Sequence, residues 1–442
     1  MTEIQATRRL LREKWLDLPP KLRVPQQLYG RHDEGCGATI GVMPRCDFTC
    51  RGCYLGADAN SIPRAPLAAI KAQMRSLRPY LGRWGNLQLT DGEVTLRPAH
   101  EVVELLRYAR ELELVPMLMT HGDTFRRNPD LLSRLMVDGG LREISIHIDT
   151  TQRGRRGAAY QDVRHEADLN PLRDEFAAMI RAARANTGRP LRAASTVTVT
   201  ADNLGGVPGI IDWFLRNSDA FRLLSFLPMA RVGRTSAALD AVNMDQLWRA
   251  IGKGLPDRSS LEVLTRQQWW LGHGGCNRIL LGMAYDRPDG RRGYAPFSAA
   301  DQYDQRVFSK FCERFGGLTF RGDTPGTALR TAAKAVLREP GFVFGTLPRY
   351  IGRWLKRVGG KHIAQTLFRF ATGRGRLDVF TIVSHHFMDR DQLATAEGRE
   401  RLASCVFRVP VDGRLVSMCE VNANGGRDRY YRQLKIGQKN GV

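Results

Sequence analysis

Cys46-Asp47-Phe48-Thr49-Cys50-Arg51-Gly52-Cys53 places three thiols in one short loop, with three residues between the first two and two between the second pair. Three thiols cannot all pair as disulfides. Thiolates at such short spacings are how a chain grips an iron–sulfur cluster. Zinc sites usually offer two pairs of ligands, often with histidine, and no matching pair lies nearby. Three ligands with no fourth in reach leave one iron open to a small molecule. The apolar run Thr39–Met43 just before the loop predicts a first strand that delivers the thiols at its end.

Working outward, strands and helices alternate. Apolar periodicity predicts helices over Glu3–Trp15 (stopped by Pro19-Pro20), 64–81, 99–112, 129–137, 171–186 and 207–215. Between them, short β-rich runs predict strands at Asn86–Thr90, Val115–Thr120, Glu143–Asp149, Ala193–Thr200 and Leu223–Pro228. Six strands separated by helices of this length point to parallel βαβ units and an α/β class. In barrels built this way the chemistry sits at the C-terminal strand ends. Alternation along the fourth strand sends Ser145, His147 and Asp149 to one face and Ile144, Ile146 and Ile148 to the other.

The CxxxCxxC loop resembles the signature of the radical S-adenosylmethionine (SAM) superfamily. That resemblance implies a partial (β/α)6 TIM-like barrel over about 36–235, a [4Fe-4S] cluster on Cys46, Cys50 and Cys53, and SAM chelated at the open iron. The family usually has an aromatic residue just before the third cysteine. This chain has Gly52 there, and Tyr54 follows as the aromatic candidate against adenine. Thr90-Asp91-Gly92-Glu93-Val94, after the second strand, is similar to the family's Gly-Gly-Glu-Pro motif, with Asp91 and Val94 as departures. The match carries SAM amino-group binding to Gly92 and Glu93. Thr120-His121-Gly122 stands where the family often shows Thr-Asn-Gly, which makes Thr120 a pocket candidate, and Ser145 and Asp149 match cofactor contacts at the fourth strand end. Arg153, Arg155 and Arg156 follow as a candidate anion clamp or a solvated loop.

Cys276, Cys312, Cys405 and Cys419 fall in the second half. Cys405 and Cys419 flank a hairpin-like stretch turning at Asp412-Gly413. Cys276, Cys405 and Cys419 are candidate ligands of a second cluster, with Cys312 or Cys36 as a fourth; buried free thiols are the plain alternative. Ser384-His385-His386-Phe387-Met388-Asp389, Cys405, Asp412–Val416 and Cys419–Asn422 resemble the tail of archaeal tetraether lipid synthase relatives, which are radical SAM enzymes with extra clusters that couple lipid chains. The expected organisation is an N-terminal helical extension (1–35), the barrel (36–235), a connecting α/β region (236–325), a basic aromatic helical segment (326–376) and a C-terminal α+β auxiliary region (377–442).

The 442 residues carry a formal charge of +22, with 43% hydrophobic residues. The charge points to an anionic partner or to arginine-biased composition. Residues 330–376 contain eleven basic residues against Glu339, interleaved with aromatic and aliphatic ones. Such helices can lie on an anionic membrane, bind RNA, or pack with a basic outer face. A cluster enzyme needs free thiols and a low-potential electron donor. With no apolar signal segment and no 18-residue apolar run, this predicts a cytoplasmic protein, peripheral on the inner membrane face. The leading expectation is radical SAM hydrogen abstraction from, or coupling of, a hydrophobic or lipid substrate. The alternatives are radical SAM modification of peptide, protein or RNA, and a non-enzymatic metal and nucleic-acid-binding protein.

Overall fold

A computed structural model describes residues 3–31, 37–315, 325–411, 413–427 and 429. Helix α1 (Glu3–Asp17) precedes the first strand, β1 (Gly37–Met43). The chain then repeats strand and crossover helix: α2 (Leu67–Leu81), β2 (Asn86–Asp91), α3 (Ala99–Glu111), β3 (Val115–Thr120), α4 (Asp123–Arg127), α5 (Pro129–Val137), β4 (Glu143–His147), α6 (Asn170–Thr187), β5 (Arg192–Val199), α7 (Val207–Arg216) and β6 (Phe221–Pro228). Neighbours from β1 to β6 are all paired in parallel. This is the βαβ arrangement that the alternation predicts.

The sheet continues past these six strands. After α8 (Met244–Gly254) and α9 (Leu261–Gln267) come β7 (Asn277–Asp286), β8 (Arg292–Pro296) and α10 (Gln302–Phe315). The appended helices are α11 (Pro325–Arg338), α12 (Leu347–Gly359) and α13 (Ile363–Ala371). The tail supplies β9 (Leu377–His385), α14 (Arg390–Leu393), α15 (Ala396–Ala403), β10 (Phe407–Val411), β11 (Arg414–Ser417) and α16 (Met418–Ala423). Among the described residues the strand order is β11-β10-β1-β2-β3-β4-β5-β6-β9-β7-β8. β9 runs parallel to β6 and β10 parallel to β1. The tail therefore extends both edges of the central sheet.

The sheet curves. Thr39 of β1, Ser145 of β4, Leu281 of β7 and Phe407 of β10 all line one cavity. The segment before β7 draws the two flanks together: a Cβ on Gly272 would lie 2.4 Å from the Ser404 carbonyl. Gln27 ties it from below, accepting from the Gly272 N–H at 2.9 Å and donating to its carbonyl at 2.7 Å. The main core lies between the sheet's outer face and the helices, with Ile144, Ile146 and Ile148 fully buried. No described helix is long and apolar enough to cross a membrane.

Candidate active site

The cysteine loop leaves β1 at the C-terminal edge of the parallel sheet and is stitched down on two sides. Thr49 and Arg51 donate their backbone N–H groups to the carbonyls of Arg153 and Thr151, at 2.9 and 2.8 Å. On the other side Ser236 N–H reaches the Arg51 carbonyl at 2.7 Å, and Cys53 N–H reaches Thr235 Oγ1 at 3.2 Å. Gly154 has φ +103° and approaches the backbone of Asp47 and Phe48, so a side chain there would press on the loop. The loop is thus rigid before any ligand arrives.

Its three thiols converge closely enough that Cys46 and Cys53 disfavour charge on Cys50, and Cys53 disfavours it on Cys46. Burial pushes the Cys46 thiol up to about 12, against a hydrogen bond from Phe48 N–H, and burial also raises Cys50. Cys46 and Cys50 are therefore held as neutral thiols, although the Arg155 guanidinium lies close enough to Cys50 to favour its charge. A bound metal centre deprotonates its thiols outright. The donor set, three sulfurs from one pinned loop with an N–H···S bond already in place, fits an iron–sulfur cluster.

Cys46, Asp47 and His121 also bring donor atoms within 4.8 Å of one another, a spacing suited to a single ion. The hydrogen bonds argue against that use. His121 Nδ1 accepts from Asp123 N–H at 3.1 Å, so Nε2 carries the proton that it shares with Asp47 at 2.8 Å. Neither ring nitrogen is then free to bind metal. The Asp47 carboxyl is held below the usual range, chiefly by this bond. His121 serves as a strut: its ring stacks on Phe48 at 3.7 Å, nearly parallel.

Glu93 lies at the centre of this strut and is 1% exposed. Its Oε1 accepts from Thr95 N–H (3.1 Å), Thr95 Oγ1 (2.5 Å) and Thr120 Oγ1 (2.7 Å), and Oε2 accepts from His121 N–H (2.9 Å). Gly92 N–H meets the Met43 carbonyl at 2.6 Å, and a Cβ there would collide with Arg45. The Gly92-Glu93 turn therefore locks the base of the cysteine loop to β2 and β3. In this structure Glu93 and Thr120 spend their hydrogen bonds on each other and on their neighbours.

Asp149 is equally enclosed. The strand ends at His147, and the chain bends so that Asp149 accepts from Thr151 N–H and Oγ1 (2.8 and 2.6 Å), Thr198 N–H (2.6 Å) and His147 Nε2 (2.5 Å). Burial works against its charge, but His147 and the surrounding donors outweigh it and hold the carboxyl below its usual range. Arg155 is neither an anion clamp nor solvated. It is buried, pairs with Asp123 at 2.8 Å and lies over the Phe48 ring at 5.1 Å.

Cys53, Tyr54 and Ser145 face the 490 Å³ cavity inside the curved sheet. Ser145 Oγ sits 3.0 Å from Thr196 Oγ1, while Met117, Met119, Leu223, Ile279 and Leu281 make the remaining wall mainly apolar. Tyr54 donates to the Asp91 carbonyl at 3.1 Å, and the Arg427 guanidinium lies 4.8 Å over its ring. Arg427 also pairs with the Asp91 carboxylate. Asp91 holds the left-handed φ of +86°, which turns its carboxylate toward that arginine. No local pattern in the sequence points Arg427 to this site: its neighbours Asn422 and Met418 are close in sequence, but Asp91 lies 336 positions away.

Cys276, Cys405 and Cys419, far apart in sequence, line a second, smaller cavity with His385, His386 and Phe407. It forms where the C-terminal end of β9 meets the starts of β7 and β10. Ser417-Met418-Cys419-Glu420 is a capping box, with Ser417 Oγ accepting from Cys419 N–H at 3.2 Å, and it presents Cys419 at the first turn of α16. Arg401 Nε donates to Cys276 Sγ and Met388 N–H to Cys419 Sγ, both at 3.4 Å. Burial pushes Cys419 up to about 12 and takes His385 and His386 down to about 4, so both rings are neutral near pH 7. His385, Phe407 and Met418 line the large cavity as well.

Cys312 is not part of this group. Helical spacing from Phe308 turns it, on α10, into the cluster of Trp15 and Phe297, beside Arg31. Its thiol is partly buried there and does not line the second cavity. Cys36, the other candidate fourth ligand, lies outside the described residues.

No protein-family description matches the chain, and no curated protein resembles it. Solved structures overlap the fold in part. Native anSMEcpe with bound AdoMet and Cp18Cys peptide aligns with 72% of this chain and 98% of its own, at 10% identity and a TM-score of 0.36. Native anSMEcpe with bound AdoMet aligns with 49% of this chain and 59% of its own, at 10% identity and a TM-score of 0.35. The FeFe-hydrogenase maturase HydG from Carboxydothermus hydrogenoformans aligns with 58% of this chain and 57% of its own, at 11% identity and a TM-score of 0.35. The chain thus spans about three fifths of the length of the latter two.

Proposed function

We propose that this protein is a radical SAM enzyme acting on a hydrophobic substrate. The observation that carries the reading is the convergence of Cys46, Cys50 and Cys53 on a pinned loop at the C-terminal strand edge, with Cys53 and Tyr54 opening onto the cavity. These cysteines would hold a [4Fe-4S] cluster. When bound, it supplies the electron that cleaves SAM and so gives access to hydrogen abstraction from an unactivated carbon.

The chain's own part is to bind, orient and exclude water. The backbone stitches fix the sulfurs; His121 and Glu93 brace the loop from behind; Tyr54, held by Arg427, stands as a platform beside Cys53. The cavity volume is in the range of a small-molecule site, and its methionine, leucine and isoleucine wall favours an apolar chain. Ser145, Thr196 and Ser225 are among the polar side chains that interrupt that wall.

Cys276, Cys405 and Cys419 would hold a second cluster. Supporting this are the shared cavity, the two N–H···S contacts, and neutral His385 and His386 as nitrogen donors in the same lining. His385 borders both cavities, so a cluster held there would lie next to the large cavity.

Iron quantitation on anaerobically purified protein tests both sites. About eight irons per chain are expected, falling to about four in the Cys46→Ala, Cys50→Ala, Cys53→Ala variant. The wild type, given SAM and reductant, should form 5′-deoxyadenosine, and SAM should alter the paramagnetic signal of its reduced cluster. Zinc without iron, or a signal indifferent to SAM, refutes the assignment.

A further inference from the structure

The three appended helices α11, α12 and α13 are bolted to the molecule along one side only. Trp354 and Val358 of α12 are buried against Tyr285 and Ala295 of the β7–β8 hairpin, with the Trp354 and Tyr285 rings 6.2 Å apart. Arg357 reaches Asp304 at 3.1 Å, and Arg353 reaches Asp301 at 2.9 Å. These contacts fix the orientation of the appendage and use up the acidic groups beneath it.

Away from those contacts it bears apolar side chains without cover. Leu337 is 84% exposed, Leu329 72% and Phe344 69%, and Phe368, Leu367 and Ile351 are about half exposed. Of the thirteen large hydrophobic residues exposed among the described residues, nine lie between 329 and 379. Exposed apolar side chains gathered this densely mark an interaction surface. Arg330, Lys334, Arg349 and Lys356 stand exposed among them and enter no ion pair among the described residues. Glu339 is the lone acidic residue in 330–376, and it faces Arg314 at 3.5 Å.

We propose that this face seats the protein on an anionic phospholipid bilayer, with α11 to α13 lying in the interface. Two features must be satisfied together, a strong positive charge and bare leucine and phenylalanine side chains. A second copy of the chain would bring a like-charged face against this one. A nucleic acid would meet the arginines and leave the aliphatic side chains in water. A lipid surface offers headgroup phosphates to the cations and acyl boundary to the apolar residues. None of these helices can cross the bilayer, so the attachment is peripheral and reversible.

The full chain is sedimented with vesicles of pure phosphatidylcholine and with vesicles containing phosphatidylglycerol. Binding is expected only with the anionic vesicles and should weaken as salt rises. Two variants separate the contributions: Lys334→Gln/Arg349→Gln/Lys356→Gln and Phe344→Ser/Phe368→Ser, each verified as folded by circular dichroism and iron content. The charge variant should bind about tenfold more weakly or worse, since each cation near the surface contributes separately. The apolar variant should lose affinity as well and become fully releasable by salt. The face is not a lipid surface if wild type stays in the supernatant, binds both vesicle types equally, or is matched by both variants. The same holds if RNA displaces the vesicles while the apolar variant binds RNA unchanged, or if the apolar variant converts a dimer to a monomer. Binding is expected to survive in the Cys46→Ala, Cys50→Ala, Cys53→Ala protein, so this inference stands or falls apart from the radical chemistry.

Discussion

Replacing Glu93 by glutamine separates two roles for that carboxylate. In the structure four donors point at it: Thr95 N–H, Thr95 Oγ1, Thr120 Oγ1 and His121 N–H. Glutamine can keep its carbonyl toward the first three. Its amide NH2 then faces the His121 N–H, donor against donor. One hydrogen bond to a charged acceptor disappears, a loss of about 1.5–3 kcal/mol, and a buried N–H is left unmatched, which costs about 1–3 kcal/mol. The two overlap, so a net destabilisation of about 3 kcal/mol is expected. Turning the amide the other way is worse, because it sets NH2 against three donors. The assay is urea unfolding followed through the seven tryptophans, beside equilibrium dialysis of SAM on the same samples. A Glu93→Gln protein about 3 kcal/mol less stable, with SAM affinity reduced no more than in a Thr120→Val control, supports a bracing role. Stability within about 0.5 kcal/mol of wild type with SAM binding abolished would refute the reasoning, because the carboxylate would then be spending its charge on the ligand.

Two further substitutions test the frame of the site. Asp149 has a folded pKa below its unfolded value of about 3.9, so its contribution is complete above that value and is lost as pH falls through the lower folded one. Asp149→Asn should therefore be clearly less stable than wild type at pH 7, with the gap closing in urea titrations run from about pH 5 to below pH 3; a constant gap contradicts the assigned ionisation. Gly272 has φ +70°, and a Cβ there would sit 2.4 Å from the Ser404 carbonyl and 3.0 Å from Val406. Gly272→Ala adds the left-handed cost of about 1–2 kcal/mol to that collision. It should disturb the seam that brings Cys276 and Cys405 into one lining and lower iron to about four per chain while SAM cleavage persists. Undiminished iron would show that the seam does not assemble the second cysteine group.

The parts of this protein visible from sequence are those written over short distances. The CxxxCxxC loop is complete within eight residues, and it needs only a strand to deliver it. The six parallel strands and their crossover helices follow from apolar periods of two and of 3.6, and every one of these elements forms within a few residues of where that period predicts. Alternation also places Ser145 and Thr196 toward the cavity. It stops informing where the strand stops: Asp149 lies two residues past β4, and the bend there turns it into a bracket for Thr151 and Thr198.

Tertiary structure alone decided the rest. As lone cysteines in the second half, Cys312 and Cys276 look alike in sequence, yet one packs partly buried near Trp15 and the other lines the second cavity. That cavity exists because a curved sheet brings β7 and β10, the flanking strands that local sequence does not position, to the same wall. Arg427 and Asp91 meet for the same reason, across more than 300 residues. Periodicity records which side of an element is apolar. Which elements become neighbours is settled by the packing free energy of the whole chain, summed over contacts that no window of sequence contains.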